Sequence, residues 1–263
     1  MILTIAGPGR AGGSIALAAA RSGHQIAGVL SRSGDSRYGP TLGWDETLPE
    51  CDLLLIAVRD NAIEEVSSML SLHAGSVRVA AHMSGFTPVT ALDELARTGV
   101  ATGGFHPLQT LPDPERGAAA LAGSFVGIGG GLEATAPLIE LATSLEMSPF
   151  PLADESRPAY HAGASAAANF IITALATAED LMISAKIDPV VTRPLVEQAV
   201  ANLYEIAGVS PLTGPIARGD TTTVIGQIEA ARRVSNSVGE QYRLMAEATA
   251  NRAGRKDDIE RWR

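Results

Sequence analysis

Leu3-Thr4-Ile5-Ala6-Gly7-Pro8-Gly9-Arg10-Ala11-Gly12-Gly13-Ser14 is the stretch that decides the fold. A short apolar run leads into glycines spaced G-x-G-x-x-G (Gly7, Gly9, Gly12), and an alanine-rich helical pattern continues to Arg21. In a dinucleotide-binding turn the first glycine allows the tight bend, and the second lets the backbone approach a pyrophosphate. The third lets helix and strand pack closely. The helix start adds free N–H groups and a positive dipole end, both favourable to an anion. Gly7, Pro8, Gly9, Arg10, Ala11 and Gly12 are therefore the expected cofactor cradle. The spacing by itself is a weak signal that a plain glycine-rich turn also satisfies. Its position between a strand and a helix gives it weight.

Outward from this stretch, short β-like runs alternate with helical patterns, which predicts an α/β protein with a Rossmann-type doubly wound, mostly parallel sheet. Strands are expected at residues 2–6, 25–31, 53–58, 77–81, 100–105 and 124–129, with a short run near Phe150. Helices are expected at 10–21, 61–72, 89–98 and 133–146. The wholly apolar run from Leu53 suits a strand buried on both faces. Near Leu152 the texture changes: residues 154–187 form one long helical pattern, and 188–207 form a second. A last helix sets Val224, Ile228, Ala231, Val238, Tyr242 and Met245 on one stripe. The expected organisation is a dinucleotide-binding domain over 1–152 and an all-α domain over 153–263, with a solvated charged tail from Arg252. Residues 162–178 approach membrane-spanning length, but Ser165, Asn169, Thr173 and Thr177 interrupt them, so a buried central helix is expected rather than a membrane span.

The 263-residue chain has a formal net charge of −9. That balance argues against non-specific binding to nucleic acid or to an anionic membrane. No basic cluster interleaved with aromatics appears either. Cys51 is the single cysteine, which excludes an internal disulfide framework and suits a reducing cytoplasm. The first strand begins without a basic, cleavable leader, so a cytoplasmic protein is expected. His82, His106 and His161 lack metal-ligand spacing, and no metal is expected.

The end of the second strand selects the dinucleotide. An acidic residue there holds the ribose hydroxyls of NAD, whereas an arginine accommodates the 2′-phosphate of NADP. Ser31-Arg32-Ser33 stands there, with no carboxylate before Asp35, so NADP is the expected cofactor. A solvated loop arginine is the plainer alternative. Ala57 and Val58 end the third strand and are expected to line the dinucleotide channel, with Asp60 or Asn61 capping the next helix. Ser84, after the fourth strand, either meets the ligand or closes a turn.

Phe105-His106-Pro107-Leu108-Gln109-Thr110 gathers polar side chains at a strand end, and Pro107 biases His106 to extended backbone. His106 and Gln109 are substrate-binding candidates, with a structural histidine as the competing reading. In the helical half, His161, Ser165 and Asn169 are spaced i, i+4, i+8 and share one face of a regular helix. Buried polar groups on that face need partners, since each unpaired one costs about 1–3 kcal/mol. Protein groups or a polar substrate would serve. Histidine is the natural acid/base among them. In the loop Leu212-Thr213-Gly214-Pro215-x-x-Arg218-Gly219-Asp220, Arg218 suits a substrate carboxylate. Asp220 either faces substrate or caps the last helix.

On these motifs the chain resembles a mostly bacterial family that joins a Rossmann-like N-terminal domain to a helical domain of unknown function. The matching motifs are Gly7-x-Gly9-x-x-Gly12, His82-x-Ser84-Gly85, His106-Pro107-Leu108-Gln109, Tyr160-His161 through Asn169, and the loop from Leu212 to Asp220. More distantly it is similar to the 6-phosphogluconate dehydrogenase-like superfamily, including β-hydroxyacid dehydrogenases and ketopantoate reductases. The resemblance implies NADP-dependent hydride transfer to a small 2-oxo acid, ketopantoate being one example, in the cleft between sheet and helices. It also implies a homodimer formed through the helical domain.

One departure matters. The superfamily's usual catalytic lysine stands four residues before an asparagine on the first long helix. Here Ser165 precedes Asn169, and the only lysines are Lys186 and Lys256. His161 is then the expected proton donor, with Ser165 and Asn169 completing the catalytic face. Two other outcomes fit the same residues: an imine or deazaflavin reductase on this scaffold, or a non-catalytic NADP-binding sensor.

Overall fold

The first strand, β1 (Ile2–Ala6), lies inside the sheet, and four of its five residues are buried. The structure, a computed structural model, describes residues 1–32, 34, 36–205 and 212–262. Contacts divide the chain into two compact units, Met1–Ser165 and Ala166–Arg263.

In the first unit the chain alternates as the sequence predicts. It runs β1, α1 (Arg10–Arg21), β2 (Gln25–Leu30), β3 (Thr41–Leu42), β4 (Cys51–Ile56), α2 (Ile63–Ser71), β5 (Val77–His82) and α3 (Asp93–Arg97). It continues through β6 (Ala101–Leu108), α4 (Pro114–Leu121), β7 (Phe125–Gly130), α5 (Leu132–Ser144), β8 (Ser148–Pro151) and α6 (Arg157–Ser165). The sheet order is β3-β2-β1-β4-β5-β6-β7-β8. Every pairing is parallel except β6 with β7. The chain thus leaves β1 first to one side and then to the other. That reversal makes the carboxyl end of β1 a topological switch point, where ligands lie in such sheets.

Successive residues of a strand face opposite sides. Leu53 and Leu55 of β4 accordingly join one buried cluster with Ile5, Ile15 and Leu138, while Leu54 and Ile56 join another with Ile63, Leu70 and Leu92. This double burial is why the sequence of β4 is apolar throughout.

Several boundaries differ from the sequence reading. The third expected strand is β4, ending at Ile56, so Ala57 and Val58 lie in the turn beyond it. The strand expected at 100–105 continues to Leu108, because β7 pairs antiparallel along it and sets His106 opposite Gly127. β5 pairs β6 only as far as Gly104. Pro107 therefore sits where β6 has a single neighbour, a place that tolerates a missing N–H. The sequence reading also omits α4, which begins with Pro114 after an Asp113 cap and packs against α1.

The second unit opens with a π-helical turn, Ala166–Phe170. It continues through α7 (Ile171–Ser184), α8 (Arg193–Glu205), α9 (Pro215–Arg218), α10 (Thr221–Val234) and α11 (Asn236–Arg252). The residues beyond 205 in the expected helix 188–207 lie outside the described residues, as does Ser33. The expected last helix is in fact two. Ser235 is extended (φ −166°), and its hydroxyl accepts a hydrogen bond from the N–H of Val238 at 3.1 Å, which starts α11 afresh. The tail is not solvated to its end: a 3₁₀ segment, Lys256–Trp262, brings Trp262 into a core with Val224, Ile228, Ala246 and Ala250.

The expectation of a buried central helix also needs correction. The helical stretch Asp154–Ser184 holds an 18-residue window of mean hydropathy 1.4, long and apolar enough to cross a membrane, and only 6% of that window is buried. In α7 Thr177 alone is buried, while Ile172 is 61% exposed. The core of this unit is assembled mainly from α10, α11 and the closing segment, which leaves the apolar residues of α7 and α8 uncovered in a single chain.

Candidate functional site

Two of the three fingerprint glycines are demanded by the protein itself. Gly7 has φ +94°, and a Cβ there would lie 2.8 Å from the Ala57 carbonyl oxygen. A Cβ on Gly12 would run into the Gly7 carbonyl and come within 2.9 Å of the Ala57 Cβ, so the close approach of α1 to the strands needs a bare residue. Gly9 is different: among the described residues, its chain neighbours aside, no atom lies within 4 Å of the place its Cβ would occupy. Its missing side chain leaves an open cradle, where the middle glycine of such a turn admits the pyrophosphate. Gly9 is also the N-cap of α1 and brings no side chain to the first N–H groups, which stay available to an anion.

This cradle opens into a cleft of about 1260 Å³. Gly7, Pro8 and Gly9 line it together with Ser31, Arg32, Ala57 and Val58, so seven of the expected cofactor residues gather there, while Arg10, Ala11 and Gly12 belong to the first turn of α1. The residues present fit a dinucleotide phosphate. The sequence reading missed Arg59 and Arg37, which line the same cleft. Arg37 pairs with Glu115 at 2.7 Å and stacks on Tyr38 at 5.2 Å. An arginine directly after the third strand was a readable signal. The expected Asp60 or Asn61 cap is not formed: a 3₁₀ turn, Asp60–Ala62, begins from an extended Arg59 with no side-chain cap.

β5 and β6 run parallel to β1 and so deliver their ends to the same edge of the sheet. Here a second group of side chains meets. His106 on β6 has Nδ1 2.7 Å from the Tyr160 hydroxyl, and the two rings meet edge-on at 5.5 Å. The ring of His161 lies 6.0 Å from that of His106 and 6.1 Å from that of Phe86. Both imidazoles close over the bare Cα of Gly85, where a Cβ would fall 2.8 Å from His106 Nε2 and 2.9 Å from His161 Cδ2. Tyr160 and His161 come from adjacent positions on α6.

Burial first, then the neighbouring His161 and Arg157, pushes His106 down to about 4, so its imidazole is neutral at pH 7. Burial raises the Tyr160 phenol to about 12, so it keeps its proton. A neutral imidazole has one donor nitrogen and one acceptor. When the Tyr160 hydroxyl donates to Nδ1, the N–H of His106 is on Nε2, facing Gly85. The cluster therefore holds several exchangeable protons without carrying a fixed charge on His106 or Tyr160.

The other expected residues are placed as follows. Ser84 closes a turn, its Oγ accepting from the N–H groups of Phe86 (3.1 Å) and Thr87 (2.9 Å). Gln109 is exposed; its Oε1 accepts from Thr110 N and its Nε2 donates to the Ala120 carbonyl, stitching β6 to the end of α4. Ser165 ends α6 in the first unit, whereas Asn169 lies exposed in the π turn of the second. The shared face of His161, Ser165 and Asn169 presumed an unbroken 3.6-residue repeat, which the π turn interrupts; such turns are frequent at functional sites. Arg218 ends α9 and is exposed. Asp220 caps α10, accepting from the Thr223 N–H (3.1 Å) and hydroxyl (2.7 Å), and these bonds hold its carboxyl below the ordinary range. Among the described residues no group of three His, Cys, Asp or Glu side chains could hold a metal.

Sequence reasoning quoted Tyr160 and Gly85 inside motifs without assigning them a role, and it gave none to Arg157 or Asp154. Their roles depend on partners 54 and 73 residues away, as in the pairs His106–Tyr160 and Ser84–Arg157, which local patterns do not reveal.

This fold is that of NADP oxidoreductases. A protein of Bacteroides fragilis provisionally named an NADP oxidoreductase superposes with TM-score 0.80 at 20% identity, covering 95% of this chain and 98% of its own. The imine reductase of Streptomyces aurantiacus gives 0.68 at 12% identity with 99% of each chain covered. Pyrroline carboxylate reductase of Plasmodium falciparum, solved with NADP bound, gives 0.64 at 12% identity, covering 94% of this chain and 98% of that one. At such identities the likeness is one of fold. No curated protein matches the chain by sequence. Residues 124–249 match a domain of unknown function (DUF2520), in agreement with the resemblance, drawn from the motifs, to a family that carries a domain of unknown function.

Proposed function

We propose that the protein is an NADPH-dependent reductase of a carbon–nitrogen or carbon–oxygen double bond in a small molecule. The observation that carries this reading is the meeting of His106, Tyr160 and His161 over Gly85, at the sheet edge that also bears the open cradle of Gly9. Bound NADPH supplies the hydride; the protein must hold the acceptor and supply the proton. His161 gives that proton to the nitrogen or oxygen, and Tyr160 fixes the orientation of His106 beside it. Arg32 and Ser31 take the 2′-phosphate end of the cofactor.

The absence of the superfamily's lysine favours a C=N substrate. An imine nitrogen is basic enough to take its proton before hydride arrives, so the reducing step itself then needs hydride alone, whereas a carbonyl needs a proton as its oxygen becomes an alkoxide. The folds of the imine and pyrroline carboxylate reductases support the same preference. Small 2-oxo acids, ketopantoate included, are the second class. Fluorescence titration with NADPH and NADH, followed by cofactor consumption against panels of cyclic imines and 2-oxo acids, tests the proposal. Tighter binding of NADPH and its consumption with a cyclic imine are expected. Tight NADPH binding with no consumption in either panel would instead describe a sensor.

We further propose that a second copy covers the uncovered apolar residues of α7 and α8, among them Leu195 (71% exposed) and Tyr204 (82% exposed). The family resemblance implies the same dimer. Light scattering should give twice the chain mass; a monomer at micromolar concentration would contradict it.

A further inference from the structure

Arg157 is fully buried, with 0% of its surface exposed. Its Nε donates to Asp154 Oδ1 at 2.7 Å, its Nη1 donates to the Ser84 carbonyl at 3.0 Å, and among the described residues its Nη2 has no partner. Asp154 uses its other oxygen to accept the N–H of Val89 at 2.9 Å. The guanidinium lies against two glycines: a Cβ on Gly104 would run into Nη2, and one on Gly129 would fall 2.8 Å from it. One ion pair therefore joins the loop after β5, the β6–β7 pair and the start of α6.

Each joined piece carries part of the cluster. Gly85 follows Ser84 in the loop. His106 is two residues beyond Gly104 on β6, hence on the same face. Tyr160 and His161 are three and four residues beyond Arg157, hence on the same side of α6. An apolar side chain would fill this space with a smaller desolvation penalty. The rigid guanidinium donates to Asp154 and to the Ser84 carbonyl through separate N–H groups held in one plane.

We propose that Arg157 is a positioning residue of this site, setting how His106, Tyr160 and His161 close over Gly85 without itself touching substrate. Its effect on turnover rests on the reductase reading; its effect on the cluster does not, and the two are read separately. The charged and titratable groups facing His106 are Arg157, Tyr160 and His161 from α6 and Asp60 from the turn after β4.

The test compares Arg157→Met, Arg157→Lys and Gly104→Ala in the full chain, using NMR titration of labelled histidine rings, NADPH binding and kcat. In Arg157→Met the His106 ring should titrate closer to an ordinary imidazole and the Tyr160 hydrogen bond should loosen, while NADPH affinity stays within about twofold because the cradle is untouched. Gly104→Ala keeps the arginine but displaces its head, and should disturb the same hydrogen bond. Arg157→Lys keeps the charge without the two-armed reach and should not restore kcat, which is expected to fall on the order of 10²-fold in all three variants. An undisturbed cluster in folded Arg157→Met or Gly104→Ala overturns the proposal. So does loss of NADPH binding in step with loss of the fold in all three, which would make Arg157 a general stability residue. If the wild type turns over no substrate, the ring titration still decides the matter.

Discussion

Gly9 and Gly12 share a letter and differ in duty. Gly12 is bare because the Gly7 carbonyl and Ala57 leave no room, so Gly12→Ala should lower stability by about 1–3 kcal/mol, measured by denaturant unfolding. Gly9 is bare toward open space, so Gly9→Ala should leave unfolding within about 0.5 kcal/mol of wild type. It should weaken NADPH at least tenfold, because a methyl group would stand where the pyrophosphate approaches. The histidines make a prediction in pH. Burial holds His82 and His106 at about 4 in the folded chain, against an ordinary 6.5. Between those values the unfolded chain binds protons that the native chain refuses, so stability falls as pH drops from about 6.5 toward 4. Each tenfold difference in proton affinity contributes about 1.4 kcal/mol. Acid titration of the unfolding midpoint should show this slope, and His82→Leu should flatten it. The strand, turn and helix around the fingerprint were legible because they are local. Tyr160 and Arg157 were not, because their meaning comes from β5 and β6.

Among the elements, strand and helix types follow the sequence closely, and boundaries move where a neighbour intervenes. β6 outlasts its apolar run because β7 pairs with it, and a stripe that reads as one helix divides at Ser235. Ser235→Ala should lower stability by about 1 kcal/mol through the lost cap of α11, read from thermal unfolding. The spacing of His161, Ser165 and Asn169 was read on a regular helix, and no residue pattern announced the π turn that enters it after Ser165. Asp220 shows the opposite case. The structure gives its carboxylate to the Thr223 N–H and hydroxyl, the capping role that its place before a helix suggests.

For the molecule as a whole, the parallel order around β1 fixes where a ligand lies, and the same edge receives the ends of β5 and β6. A dinucleotide cradle and a cluster of exchangeable protons on one sheet edge are the parts that a reductase requires. In the second unit the apolar residues of α7 and α8 stay largely uncovered in the single chain, as the proposed dimer requires. The most direct test of the central claim is isotopic. NADPH deuterated at the nicotinamide C4 is supplied with a cyclic imine or a 2-oxo acid, and the product is examined by mass spectrometry and NMR. Transfer of deuterium to the former C=N or C=O carbon, slowed at low cofactor concentration in Gly9→Ala and greatly slowed in His161→Ala, is the predicted result. NADPH bound tightly at the Gly9 cradle with no deuterium in any product would contradict it.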